Sequence, residues 1–264
     1  MKKFAIILIS WLCFLSMITA NILANAVPLN DLSTKAVSDL YPNYFVPAGF
    51  TFSIWSLIYF LLCGFMIVAT NAVIKEKRGV MMDAIQSVLP LFWLSCILNA
   101  SWIFAWHYLQ VTLSVMIMIC FLATLISIYA RLQNYRHALS PSDKLWVYHP
   151  FIVYLGWISV ATIANITAFL VSKNWSGFGL EPTAWTYIMI TAAGLIGAYM
   201  VWIQREWAFS LVVVWAFFGI FKSELRKTEI NSNYVLYALI FLAGITILRF
   251  LFRTTDHRNK KLSR

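Results

Sequence analysis

The sequence predicts an all-α membrane protein with eight spanning helices. Hydrophobic residues make up 61% of the 264-residue chain, and charged residues only 11%. A soluble domain carries roughly 25% charged residues, so this chain has too few charges to cover a water-facing surface. The apolar residues also fall into eight long runs that short polar segments separate. These observations exclude a soluble globular protein.

A helix needs roughly 20 residues to cross a bilayer, and all but one of the apolar runs have about this length. The seventh run is short, so a tilted or re-entrant helix is an alternative there. The first run also has an alternative, because a basic N-terminus before an apolar stretch and Ala24-Asn25-Ala26 fits a secretory signal peptide. Its apolar core of about 20 residues exceeds the usual signal-peptide core, which favours a retained helix. The predicted spans are Phe4–Leu23, Phe50–Val73, Val88–Tyr108, Val111–Leu132, Tyr148–Ser172, Thr183–Ile203, Trp207–Phe221 and Tyr234–Phe252.

Basic residues are distributed unevenly between the two sides of these spans. With the N-terminus inside, fifteen of the 20 lysines and arginines fall on the inside and five on the outside. This asymmetry is what the positive-inside rule expects, and it predicts a multi-pass cell-membrane protein with both termini in the cytoplasm. It also accounts for the net charge of +10 without a nucleic-acid partner. The outside set is Lys35, Lys173, Lys222, Arg226 and Lys227.

The chain lacks the usual signatures of catalysis and ion coupling. All ten acidic residues lie in loops or tails, whereas proton-coupled transporters place carboxylates within the membrane. The four cysteines lie in apolar runs without metal-ligand spacing, and neither a nucleotide-binding glycine loop nor an HExxH pair occurs. His107 and His149 lie at predicted membrane edges, where a hydrogen-bonded boundary residue is expected more often than a metal or haem ligand. No metal site and no catalytic residue is therefore predicted.

Aromatic and amide residues share faces on three of the predicted helices. Buried amides in a membrane must find partners, so Asn99 and Asn165 are expected to face the bundle interior. Two interpretations remain open: these side chains glue helices together, or they line an aromatic cavity for a flat apolar ligand. The faces are Phe52, Trp55 and Tyr59 on the second span, Ser95, Asn99, Trp102 and Trp106 on the third, and Tyr154, Trp157, Ala161 and Asn165 on the fifth.

These segments resemble the translocator protein and tryptophan-rich sensory protein family, the TspO/MBR group. The family pattern Pro-Pro…Trp-x-x-Leu-Tyr has Pro47, Trp55 and Tyr59 in register, although Val46 replaces one proline and the following aromatic is displaced. The Leu-Asn-x-x-Trp motif of the third helix corresponds to Leu98, Asn99 and Trp102. The fifth-helix pattern is matched by Tyr154, Leu155, Trp157, Ala161 and Asn165.

The resemblance covers about residues 1–172 and implies a five-helix bundle in which the loop 25–49 caps a cavity. Family members bind porphyrins and, in animals, cholesterol and benzodiazepine-type drugs. Porphyrin or haem would thus be a ligand here, with no cofactor required. Residues 173–264 form a second predicted domain of three further helices and a basic tail. The positions that the resemblance implies as ligand-binding are Pro47, Trp55, Tyr59, Asn99, Trp102, Tyr154, Trp157, Ala161 and Asn165.

The resemblance implies a receptor or sensor for a tetrapyrrole or similar flat hydrophobic ligand. The alternative is a transporter or exporter of a hydrophobic metabolite or lipid, driven passively or by a partner since no coupling-ion site is evident. Light-dependent porphyrin chemistry through tryptophan is a third hypothesis. The expected partners are the bilayer and a hydrophobic small molecule, and the resemblance also leaves room for a homodimer.

Overall fold

The computed structural model describes the backbone of residues 2–27, 29–223 and 232–262, and the side chains of these residues except Lys2, Ser232 and those beyond Leu251. Within these ranges every regular element is a helix. The prediction of an all-α membrane protein is therefore confirmed. Of the residues in the charge comparison, Arg226, Lys227 and Arg264 lie outside the described residues, as do the side chains of Lys2, Arg253, Arg258, Lys260 and Lys261.

Each of the eight predicted spans corresponds to a helix. Seven described helices are long and apolar enough to cross a membrane, and α9 is shorter. Its 16 residues extend about 24 Å, less than the roughly 30 Å of a bilayer core. The helices are α1 (Lys2–Ala26), α2 (Thr34–Asp39), α3 (Ile54–Ile74), α4 (Val80–His107), α5 (Val111–Gln133), α6 (Pro141–Asp143), α7 (His149–Ser172), α8 (Pro182–Trp202), α9 (Trp207–Lys222) and α10 (Ser232–Leu262).

Several helix ends differ from the predicted ones for local reasons. Helix α4 begins at Val80 and not at the predicted Val88, because its polar first turns are helical although they lie outside the apolar run. Gly79, just before the helix, adopts a φ of +102° that glycine tolerates. Helix α3 begins at Ile54, preceded by a 3₁₀ turn over Gly49–Ser53. Helix α2 lies inside the long first loop and is capped by Ser33, whose Oγ accepts the Ala36 N–H at 3.1 Å.

The chain forms two compact units, and the first comprises Met1–Pro42 and Phe52–Asn174. In this unit α4 packs against α1 and α5, while α7 packs against α5 and α3. Three buried rings form edge-to-face contacts in its core: Phe65 and Phe151 at 4.9 Å between centroids, Phe65 and Phe92 at 5.3 Å, and Phe92 and Phe151 at 6.1 Å. Such contacts add to the packing that holds membrane helices together.

The second unit comprises Asn43–Thr51 and Trp175–Arg264. Its helices α8, α9 and α10 all pack against one another. The short segment Asn43–Thr51 lies against α9, where the Ala48 N–H donates to the Gly219 carbonyl at 3.0 Å and the Trp215 indole donates to the Thr51 carbonyl at 3.0 Å. A Cβ atom at Gly219 would overlap the Thr51 side chain, so glycine is required for this close approach.

Candidate functional site

A cavity of about 490 Å³ lies in the first unit, between the C-terminal half of α1, the start of α2 and the start of α3. Its volume is within the range of roughly 300–1,000 Å³ that is typical of small-molecule sites. Aromatic rings, amides, hydroxyls and aliphatic groups form its wall, and no charged side chain contributes. The lining residues are Ile18, Asn21, Ile22, Asn25, Ala26, Thr34, Phe52, Ser53, Trp55, Ser56 and Tyr59.

Two stacked rings on α3 form the aromatic side of this cavity. Trp55 and Tyr59 are one helical turn apart, and their planes lie at 21° with centroids 5.5 Å apart. Two α7 rings contact Trp55 edge-on, Tyr154 at 5.9 Å and Trp157 at 6.1 Å. Phe52 contacts Trp157 at 6.1 Å. The cavity wall is therefore backed by a second layer of aromatic side chains, which holds the stacked pair in place.

A chain of hydrogen bonds joins α1, α4 and α7 behind the aromatic layer. The Asn21 amide donates to Asn99 Oδ1 at 2.6 Å, and the Asn99 amide donates to the Tyr154 hydroxyl at 2.7 Å. Asn21 also donates to the Met17 carbonyl at 2.9 Å. Asn99 and Tyr154 are fully buried. The two amides thus satisfy each other across the bundle, as groups buried in a membrane must.

Two polar groups beside the cavity are buried without a hydrogen-bond partner among the described residues: the Tyr59 hydroxyl and the Trp157 indole N–H. The Tyr59 hydroxyl is close to Asn99 but does not form a hydrogen bond with it. An unsatisfied buried polar group costs about 1–3 kcal/mol. Tyr59 lines the cavity, but its buried hydroxyl is out of reach of a molecule in the cavity, which would contact the ring instead.

Four other sequence-predicted positions are not among the residues that line this cavity. The Trp102 indole donates to Asn165 Oδ1 at 3.0 Å, and the Asn165 amide donates to Ser114 Oγ at 2.9 Å, so these residues tie α4, α5 and α7 together. Ala161 is half-buried on α7 and does not line the cavity. Pro47 belongs to the second unit. The structure thus brings Trp55, Tyr59, Asn99, Tyr154 and Trp157 together in the first unit, and Trp102, Ala161 and Asn165 lie outside this group.

Several lining residues on α1 and the first loop were not predicted from the sequence. Asn21 and Asn25 are amides one turn apart near the end of an apolar helix, which is the same signal that singled out Asn99. Thr34 gave no signal of its own. It contacts the cavity because it is the first residue of α2 and because α4 binds it there.

His107 at the end of α4 holds this part of the first loop in place. Its Nε2 lies 3.0 Å from Thr34 Oγ1 and its Nδ1 lies 3.3 Å from the Leu29 carbonyl. The neighbouring Trp106 indole donates to the Thr34 carbonyl at 3.2 Å. His107 is thus a hydrogen-bonded boundary residue, as the sequence suggests. In the described ranges no three His, Cys, Asp or Glu side chains are grouped so that they could hold a metal ion.

Comparison with protein families gives a match to the model of the TSPO-like protein family over residues 6–252. The chain belongs to this family. The match extends well past residue 172, where the motif resemblance ends, and so includes α8, α9 and most of α10. Comparison with curated proteins and with solved structures gave no match. Family membership and the apolar helices together identify a multi-pass membrane protein of the TSPO-like family.

Proposed function

We propose that this TSPO-like protein is a membrane receptor or sensor that binds a flat hydrophobic ligand of the tetrapyrrole class in the cavity between α1 and α3. The observation that carries the proposal is the stacked Trp55–Tyr59 pair on the wall of an uncharged cavity. The proposal assigns ligand binding to the first five long helices, within residues 1–172, and gives Asn99, Tyr154 and Trp157 the role of holding the pair.

Aromatic stacking supplies the affinity in this proposal. A flat conjugated ring on an indole face gains about 0.5–1.5 kcal/mol beyond the area that it buries. The edge contacts from Tyr154 and Trp157 keep the Trp55 ring in one orientation, so little side-chain freedom is lost when a ligand stacks on it.

The uncharged lining sets how a tetrapyrrole would lie. A carboxylate inside the cavity would lose its hydration without gaining a cationic partner, which is costly. The ring would therefore insert with its apolar edge first and leave its carboxylates at the open side. We expect the dimethyl ester of protoporphyrin IX to bind at least as tightly as the free acid.

The test is a titration of the purified protein in detergent micelles with protoporphyrin IX and with its dimethyl ester, followed by tryptophan fluorescence. Saturable quenching by both is expected, and Trp55→Ala should raise the Kd about tenfold because the stacking surface is lost. Trp202→Ala is the matched control, since this indole is 54% exposed and belongs to the second unit. Equal Kd values for both variants, or no saturable quenching, would contradict the proposal.

We further propose that the protein lies in the cell membrane with both termini in the cytoplasm, as the distribution of basic residues favours. This orientation requires α9 to cross the bilayer despite its 16 residues. Reporter fusions at residues 1, 176 and 264 test it, because the first and third positions should be cytoplasmic and the second external. An external C-terminus would show that α9 does not cross.

A further inference from the structure

A second cavity of about 490 Å³ lies at the opposite end of α1 and α3 in the same unit. Lys3 of this cavity and Asn21 of the first one are 18 residues apart on α1, or roughly 27 Å along the helix. The N-terminus of α1 and the turn between α3 and α4 form its rim. The lining residues are Lys3, Ile6, Ala72, Val73, Glu76, Lys77, Arg78, Met82, Ile85, Gln86, Leu89, Pro90 and Trp93.

The rim of this cavity carries an excess of positive charge. Lys3, Lys77 and Arg78 contribute cations, and Glu76 contributes the single carboxylate. Lys3 Nζ lies 2.5 Å from Glu76 Oε1, so these two charges are paired with each other. Among the described side chains no carboxylate forms an ion pair with Lys77 or Arg78.

Below the rim the wall becomes apolar. Ile85 and Leu89 are buried, and Trp93 is half-buried with its indole N–H donated to Ser10 Oγ at 2.9 Å. Pro90 lies within α4 and has no N–H, so the Gln86 carbonyl one turn earlier lacks its usual helical hydrogen bond from residue 90. The cavity therefore combines a cationic mouth, an amide side chain and an apolar floor along one continuous wall.

We propose that this second cavity binds an anionic phospholipid, with its phosphate between Lys77 and Arg78 and the upper part of an acyl chain against Trp93. A soluble anion would use only the rim, and an uncharged lipid would gain nothing from the two cations. Only an anionic amphiphile matches both parts of the wall. Arginine pairs well with phosphate oxygens because its planar group donates two parallel hydrogen bonds. The site is independent of the aromatic cavity proposed above.

Phosphatidylglycerol and phosphatidylcholine with brominated acyl chains are the probes, titrated into the purified full-length protein in uncharged detergent micelles. Bromine quenches nearby indoles, and the difference between the unaltered protein and Trp93→Phe isolates the signal from this cavity. We expect saturable quenching of Trp93 by phosphatidylglycerol at a concentration at least tenfold below that for phosphatidylcholine. Equal quenching by the two lipids would overturn the proposal.

Charge variants test the rim in both directions. Lys77→Gln/Arg78→Gln should weaken phosphatidylglycerol binding about thirtyfold, as expected for two basic residues near a lipid surface. Glu76→Gln should strengthen it severalfold, because it removes the opposing carboxylate and releases Lys3. The control Lys35→Gln/Lys173→Gln removes the same charge elsewhere and should leave binding unchanged. An equal loss in this control would overturn the proposal, since the effect would then be one of net charge.

A competition experiment distinguishes a lipid from a soluble phosphate compound. Glycerol 3-phosphate carries the same phosphate without acyl chains, and it should not displace phosphatidylglycerol at millimolar concentration. Full displacement would assign the rim to a soluble organic phosphate and would refute the lipid assignment.

Discussion

Replacing Asn99 by leucine tests whether the amide chain stabilises the bundle that holds the aromatic wall. The substitution keeps the branched shape of the side chain but removes the bonds to Asn21 at 2.6 Å and to Tyr154 at 2.7 Å. Asn21 retains its bond to the Met17 carbonyl, so one of its donor groups stays paired. Loss of the two bonds should lower the free energy of unfolding by about 1–3 kcal/mol, because the groups left behind recover only part of their hydrogen bonding.

A double-mutant cycle with Tyr154→Phe isolates one of these bonds. The phenylalanine keeps the edge contacts with Phe121 at 5.2 Å and Trp55 at 5.9 Å, and removes only the hydroxyl. Side-chain hydrogen bonds in membrane proteins couple by about 0.6 kcal/mol on average and up to about 1.7 kcal/mol. Because Asn99 and Tyr154 are both fully buried, we expect a coupling of about 1 kcal/mol. Reversible unfolding in mixed detergent micelles measures it.

Trp11→Phe provides the matched control for this cycle. Its indole donates to Thr70 Oγ1 at 3.0 Å, about ten residues along α1 from the Asn21 contact, and shares no partner with Asn99. The effects of Trp11→Phe and Asn99→Leu should therefore add within about 0.5 kcal/mol. Additivity of Asn99→Leu with Tyr154→Phe would refute the reasoning, since it would mean that the 2.7 Å contact contributes no free energy.

Two further predictions concern the contacts of Thr34 and of Thr51, which both lie between α1 and α3 in the sequence. His107→Ala removes the 3.0 Å contact to Thr34, so amide hydrogens of α2 should exchange about tenfold faster. Unchanged exchange measured by mass spectrometry would show that this contact does not fasten the loop. Gly219→Ala places a methyl group into Thr51 and should cost about 1–3 kcal/mol in thermal unfolding. Thr51→Ala removes the two nearest atoms of this side chain, one of them a buried hydroxyl without a partner, and should restore part of that loss. A lack of any rescue would contradict the close contact.

The helices could be predicted from the sequence because each apolar run has the length that a bilayer imposes. The ends could not, because they depend on residues outside the apolar runs. Asp83 and Gln86 lie in the first turns of α4, which are helical although too polar to count as a span. Similarly, α10 continues to Leu262, past the predicted end at Phe252, because a charged sequence can stay helical beyond the membrane.

The candidate site was only partly predictable. Helical spacing places Trp55 and Tyr59 on one face, and the structure stacks them. Spacing alone does not say which face of α4 meets which neighbouring helix. The sequence therefore predicts the same ligand-binding role for Asn99 and Trp102. In the structure Asn99 bonds to both Asn21 on α1 and Tyr154 on α7, whereas Trp102 bonds to Asn165 on α7. The role of Asn21 depends on tertiary packing of α1 against α4, which a pattern within one helix does not contain.

The central claim is that a flat ligand binds against the Trp55–Tyr59 pair, and an experimental structure with protoporphyrin IX dimethyl ester tests it most directly. The account predicts the macrocycle in the cavity of the first unit, with its plane against the Trp55 indole and a centroid separation of about 4.5–7 Å. A macrocycle bound elsewhere in the chain, with this cavity empty, would contradict it.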